Sequence, residues 1–237
     1  MKIVTISDIH GKHHALEKEG KLFPGDMIIC AGDVSRTGSN ADTREFIEWF
    51  ANLDYKYKIL IAGNHDWDLE KNPKEHKELC ENLEIHYLDD SGIEIEGIKI
   101  WGSPVQPKFN NWAFNRFRGD DIKKHWDLIP DNIDILITHG PPGEILDQVH
   151  HYASPNLGQH VGCYDLYKKI CELDIKLHIF GHVHEGRGVK VKDLGKGPVT
   201  FVNTSVLDMY YNLIKENAPC FHWDLVVDGL SNGNDYF

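Results

Sequence analysis

Apolar residues along this chain gather in short, β-branched runs, and each run ends in a polar tip. Lys2 to Ile6, Met27 to Cys30, Tyr57 to Ile61, Ile133 to Ile137 and Leu177 to Phe180 all have strand length. Between the early runs lie stretches with helical spacing. These are Ala15 to Lys21, Ala41 to Leu53 with Phe46, Ile47, Phe50 and Leu53 on one face, and Pro73 to Leu83 opened by its proline. Strand alternating with helix predicts right-handed βαβ crossovers. From Gly92 to Trp101 the pattern changes to period two around Glu96-Gly97, a hairpin, and Val189 to Val202 and Cys220 to Val227 again have strand character. The expected architecture is α/β, with two packed mixed β-sheets flanked by helices. No Gly/Ser-rich or Pro-rich linker divides the chain, so residues 1–237 are expected to form one domain.

The polar tips carry the candidate chemistry. In order they are Ser7-Asp8-Ile9-His10-Gly11, Gly32-Asp33, Gly63-Asn64-His65-Asp66, Thr138-His139-Gly140 and Gly181-His182-Val183-His184. Side chains just beyond the carboxyl ends of strands in an α/β sheet converge on one crevice, so these distant segments can share a site. Asp8, His10, Asp33, Asn64, His139, His182 and His184 form a mixed oxygen and nitrogen set without cysteine. Such a set suits manganese, iron or zinc, and seven groups exceed the needs of one ion. Two divalent ions are implied, with Asp33, central in the series, as the bridging carboxylate.

Composition narrows the partners. A net charge of −12 opposes non-specific binding to long nucleic acid, while a small phosphorylated substrate remains open if cations supply the positive charge. Five scattered cysteines without a Cys-x-x-Cys pair speak for reduced core thiols rather than a disulfide framework or thiolate zinc site. No apolar run reaches membrane-spanning length, and Met1 leads straight into a strand rather than through a basic segment and apolar core, so the expected address is cytoplasmic with no membrane partner.

The blocks Asp8-Ile9-His10, Gly32-Asp33, Gly63-Asn64-His65-Asp66, His139 and Gly181-His182-Val183-His184 stand in the order of the calcineurin-like metallophosphoesterase superfamily, which the chain closely resembles. Gly102 to Pro107, Trp112 to Asn115, Thr138 to Pro142 and His184 to Gly188 resemble the metallophosphoesterase-domain-containing branch that includes cyclic-nucleotide phosphodiesterases. The resemblance implies that Asp8, His10, Asp33 and His184 hold one ion and Asp33, Asn64, His139 and His182 the other, with manganese favoured in vitro. It also implies hydrolysis of a phosphoester by attack of a metal-activated hydroxide on phosphorus, with small phosphodiesters, cyclic nucleotides among them, as the expected substrates. His65, left without a metal, is expected to be catalytic, donating a proton to the leaving oxygen or a hydrogen bond to the phosphoryl group. The phosphoprotein phosphatases of the superfamily continue G-D-x-x-D-R-G. This chain has Arg36 in the slot of the second aspartate, which leaves Asp66 as the local acidic partner to look for beside His65.

Other residues admit two readings. Arg36 is either a phosphate contact or a solvated charge. Lys108 to Arg118 interleaves rings with cations, so Trp112 and Arg116 either meet a nucleotide or pack on the sheets. His13 and His14 either line the entrance or form a solvated or helix-capping pair, and the 143–162 segment is either a lid or a polar surface loop. A phosphomonoesterase, and a non-catalytic binding protein that keeps the fold, stand as alternative functions. A nuclease is disfavoured by the charge and by the 237-residue length.

Overall fold

Each expected parallel strand forms, and its alternate residues feed two different cores. The structure, a computed structural model, describes residues 1–150 and 154–218 and the backbone of 220–222. The first half runs β1 (Lys2–Ile6), α1 (His13–Lys18), β2 (Met27–Ala31), α2 (Asn40–Ala51), β3 (Tyr57–Ile61), α3 (Trp67–Lys71), α4 (Pro73–Asn82) and β4 (His86–Tyr87). Next come the hairpin β5 (Ser91–Ile95) and β6 (Ile98–Ser103), the short pair β7 (Gln106–Pro107) and β8 (Asn115–Arg116), and α5 (Asp120–Trp126). The remainder is β9 (Ile135–Thr138), α6 (Tyr164–Glu172), β10 (Leu177–Phe180), β11 (Gly188–Asp193), β12 (Pro198–Asn203) and β13 (Cys220–His222).

Two mixed sheets result. One has the order β13-β1-β2-β3-β4, parallel except for β13, and the other β11-β12-β10-β9-β6-β5, with a parallel centre and antiparallel edges. Ile3, Met27, Ile29, Ile59 and Ile61 of the first sheet pack against Ile100, Ile135, Ile137, Leu177, Ile179 and Val202 of the second. The residues between them face outward: Val4, Ile6, Ile28, Cys30 and Leu60 meet Phe46, Ile47 and Phe50 of α2. Leu136, Phe180 and Phe201 likewise meet Trp126, Leu166 and Ile170. Strands buried on both faces read as continuous apolar runs, which is why they are visible in the sequence. Truncating Ile29 or Ile137 to alanine would cost about 2–5 kcal/mol, the scale for a fully enclosed aliphatic side chain.

The helices over the second sheet are the part the pattern did not reveal. α5 buries only Ile122 and Trp126, and α6 only Leu166 and Ile170, so each offers a single i, i+4 pair. Of the strand expected from Cys220 to Val227, the first three residues form β13, and 223–227 lie outside the described residues. Cys30, Cys80, Cys163 and Cys171 are free thiols; the side chain of Cys220 lies outside the described residues. Among the described residues no helix is long and apolar enough to cross a membrane.

Candidate metal centre

The parallel strands β1, β2 and β3 of one sheet and β9 and β10 of the other deliver Asp8, Asp33, Asn64, His139 and His182 just past their carboxyl ends. Turning sharply there is strained. Asp8, His10, Asp33 and His182 all have positive φ, at 55, 44, 54 and 70°. Strained backbone of this kind persists only where the surroundings over-determine it. Close approach also requires glycine. A Cβ on Gly63 would lie 2.3 Å from Asp33 Oδ1 and 2.6 Å from His139 Cε1, and one on Gly181 would lie 2.1 Å from Ser7 Oγ and 2.2 Å from Asp8 Oδ2.

The seven candidate ligands come together in two overlapping sets. Around Asp8, His184 Nε2 lies 3.5 Å from Oδ1 and 3.4 Å from His10 Nε2. Around Asp33, His139 Nε2 lies 3.4 Å from Oδ1, His10 Nε2 3.7 Å from Oδ2, and the ligand atom of His182 within 4.8 Å of both Asp33 and His139. Asn64 Oδ1 is 2.9 Å from His139 Nε2. Asp33 therefore borders both groups, the place a bridging carboxylate must take.

The donor chemistry fits divalent ions. His139 Nδ1 donates to Ala31 O at 2.9 Å and His184 Nδ1 to Asp208 O at 2.9 Å, which fixes both tautomers and turns each Nε2 lone pair inward. Those lone pairs face Asn64 Oδ1 and the carboxylates of Asp33 and Asp8, all acceptors themselves. Acceptors converging in this way need cations between them, supplied either by protons or by metal. Without metal the protons are retained. Burial disfavours the charge, but Asp33 overrides it and raises His139 to about 9, and Asp8 does the same for His184, also to about 9. Burial lowers His10 and His182 to about 4, so these two stay neutral and ready to ligate. Burial pushes Asp8 and Asp33 upward, yet the surrounding histidines hold both below the usual carboxylate range.

His65 sits at the rim, partly exposed. Its backbone N donates to Asp33 Oδ1 at 2.8 Å, and its Nδ1 donates to the carbonyl of Arg36 at 2.8 Å. Trp112 stacks on the ring at 4.1 Å and 27°, while His10 meets it edge-on at 4.6 Å. Asp66 is not the acidic partner of His65. Its Oδ2 accepts from Gly63 N (2.8 Å) and Val34 N (3.3 Å) and its Oδ1 from Ser35 N (3.0 Å) and Ser35 Oγ (2.9 Å), so it ties the Asp33 and Asn64 loops together. Burial and the nearby Asp33 raise its pKa to about 6.

The expected substrate contacts separate. The Arg36 side chain is exposed and packs across Gly11. Arg116 is occupied elsewhere, with Nε donating to His125 Nε2 at 2.9 Å and the guanidinium 3.7 Å from Glu70. The neighbouring Arg118 donates instead to Val161 O and Gly162 O. Tyr211, which no sequence motif marks, meets His10 and His184 edge-on at 4.9 and 5.2 Å.

A cleft of about 730 Å3 opens on His182 and His184. Its walls include Lys108, Phe109, Arg118, Tyr164 and Tyr211, together with described residues of the 143–162 segment. That segment is anchored by the buried Asp147, which accepts from Glu144 N and Gly162 N at 3.0 Å and pairs with His160 Nδ1 at 2.6 Å. Residues 151–153 of the segment, His151 among them, lie outside the described residues.

Comparison with known proteins agrees with this geometry. Metallophosphoesterase domain-containing protein 1 of Homo sapiens is 37% identical over 240 residues, covering 92% of this chain and 69% of that protein. The fold is similar to that of a protein from Thermus thermophilus, with a TM-score of 0.57, 16% identity and coverage of 86% of this chain and 88% of the other. It is also similar to phosphopantetheinyl hydrolase from Mycobacterium tuberculosis, with a TM-score of 0.55, 14% identity and coverage of 86% and 89%. The model of the calcineurin-like phosphoesterase family matches residues 1–186, and the chain belongs to that family, whose membership implies metal-dependent hydrolysis of phosphate esters.

Proposed function

We propose that this protein hydrolyses small phosphodiesters, cyclic nucleotides among them, in the cytoplasm. The observation that carries the proposal is the cleft of about 730 Å3 on the His182 and His184 side of the centre, lined by Phe109, Tyr164 and Tyr211 together with Lys108 and Arg118. That size lies within the range of small-molecule sites, and aromatic walls beside a cation suit a nucleobase joined to a phosphate. Asp8, His10, Asp33 and His184 would hold one divalent ion and Asp33, Asn64, His139 and His182 the other, with manganese the first metal to try. Two divalent ions there supply Lewis acidity toward the phosphoryl oxygens.

The chain's own residues do the remainder. The neutral His10 and His182 ligate without losing a proton. His65, its Nδ1 fixed on the Arg36 carbonyl, presents Nε2 to donate a proton to the leaving oxygen. Trp112 stacks flat on that ring and keeps it aimed, and is therefore a positioning residue. Arg36, exposed beside Gly11, reaches a phosphate oxygen once substrate is bound.

Paired esters test this reading. With Mn2+ the protein should show a higher kcat/KM for bis-p-nitrophenyl phosphate than for p-nitrophenyl phosphate and should open at least one 2′,3′- or 3′,5′-cyclic nucleotide. A clear preference for the monoester, with no cyclic nucleotide turned over, would overturn the phosphodiesterase reading and leave the metal centre standing.

A further inference from the structure

His13 and His14 form the first turn of α1, only three and four residues beyond His10, yet neither lines the cleft. They do not line the entrance, and only His14, 66% exposed, is solvated. His13 is 2% exposed, with its ring against Trp49 at 5.1 Å and Phe46 at 5.8 Å, both residues of α2. Both of its ring nitrogens are buried and have no hydrogen-bond partner. A neutral imidazole always carries one N–H and one lone pair, and leaving buried polar atoms unsatisfied costs about 1–3 kcal/mol. A leucine would fill the space without that cost, and among the described residues the acceptor that His13 Nε2 faces, Glu45 Oε1, stands at 3.7 Å, beyond hydrogen-bond length.

The geometry around it identifies the missing partner. His13 Nε2 lies 3.7 Å and His14 Nε2 3.3 Å from the same oxygen, Glu45 Oε1 of α2, and the three ligand atoms lie within 4.8 Å of one another. Four-coordinate zinc with bonds of about 2.0–2.1 Å separates its ligand atoms by roughly 3.3 Å. The two measured edges are already near that value. His14 and Glu45, 66% and 59% exposed, have room to adjust, whereas His13 is fixed. A shallow cleft of about 300 Å3 adjoins them, and Glu17 and Glu48 line it, adding negative potential and a source for a fourth ligand. An ordinary surface pair would account for His14 with Glu45 but not for the buried Nε2 of His13, which an ion would engage while Nδ1 keeps the ring's N–H.

We propose that His13, His14 and Glu45 form a separate metal site for a zinc-class divalent ion, which clamps α1 to α2. Two histidines and a carboxylate suit borderline ions over calcium or magnesium. The clamp is structural and stands apart from the strand-tip centre.

The test uses the full chain and zinc itself. After loading with excess Zn2+ and removal of free ion, elemental analysis should find one equivalent fewer in His14→Ala and in Glu45→Gln than in the wild type, with hydrolysis unchanged in both. In an Asp33→Asn background, which weakens the strand-tip centre independently, zinc at a hundredfold its Kd should still raise Tm by about 5 °C or more. Adding His14→Ala should remove most of that rise. Equal zinc content in the wild type and both variants, or an identical Tm rise with and without His14, would overturn the proposal. A zinc deficit confined to Asp33→Asn would do the same while leaving the strand-tip centre intact.

Discussion

Gly181→Ala should dismantle the strand-tip centre from a distance of one methyl group. The added carbon would stand 2.1 Å from Ser7 Oγ and 2.2 Å from Asp8 Oδ2, against an ordinary contact of 3.4 Å or more, so something must move by over 1 Å. Neither neighbour is free to yield. Asp8 is 0% exposed, and its Oδ2 accepts from Ser7 Oγ and Ser205 Oγ at 2.6 Å and from His182 N at 3.0 Å. Overpacking a close-fitted site costs about 1–3 kcal/mol. Losing one or two hydrogen bonds to a carboxylate adds about 1.5–3 kcal/mol each. With one such bond lost the expected cost is about 2.5–6 kcal/mol, and a second raises it, a large share of a typical folding free energy. For a chain of this size that lowers Tm by roughly 5 °C or more. Gly140→Ala is the matched control: its Cβ would meet Gln106 Cβ at 3.2 Å and His182 Cδ2 at an ordinary 4.0 Å, and the cost should stay under about 1.5 kcal/mol. Calorimetry of both variants, with metal content measured alongside, decides the matter. If Gly181→Ala melted within about 2 °C of the wild type and carried its full metal load, the strand tips would not be packed as described.

Asp33→Asn should lower occupancy at both ion positions, read by elemental analysis, whereas a bridge confined to one ion would lose only one. His65→Ala should retain its metal while hydrolysis falls about 100-fold or more; unchanged turnover would make His65 structural. Because His139 and His184 sit at about 9 without metal and must be neutral to ligate, loading the metal-free protein at pH 7.5 should release close to two protons, detectable by calorimetry in buffers of different ionisation enthalpy. The same raised values mean that these histidines stabilise the metal-free fold fully below pH 6.5. That contribution is lost as pH rises through about 9, so its Tm should fall across this window while the loaded protein changes little.

The sequence revealed what is local. The five tips were recognisable because each follows a strand buried on both faces, where a short continuous apolar run gives way to Asp, Asn or His. Helix α2 was equally plain, since Phe46, Ile47, Phe50 and Leu53 recur on one face; that Ser39 caps its start is seen only in the structure. What escaped depends on partners far away in the chain. Asp66 looked like a neighbour for His65, but its hydrogen bonds run back to Val34 and Ser35 as well as Gly63. Arg116 looked available to a phosphate, but Glu70 and His125 hold it. Tyr211 reaches His10 from some two hundred residues further along, a contact that exists only in the folded chain. His13 sits one position from an exposed histidine, and no periodicity distinguishes the buried ring from the exposed one.

The anchoring of the 143–162 segment by Asp147 bears on how such a protein can change its trade. The candidate ligands sit at or just past strand ends locked into two sheets, whereas part of the facing wall is contributed by one stretch of chain that is tied together at a single buried carboxylate. Hardware and fitting are thus separable. New residues between Gln148 and His160 would redraw the cavity without displacing an ion ligand, so long as Glu144, Asp147 and Gly162 keep their bonds. Variation in what the protein accepts should therefore accumulate in that stretch, and an engineer who wishes to redirect it has a cassette to exchange rather than an active site to rebuild.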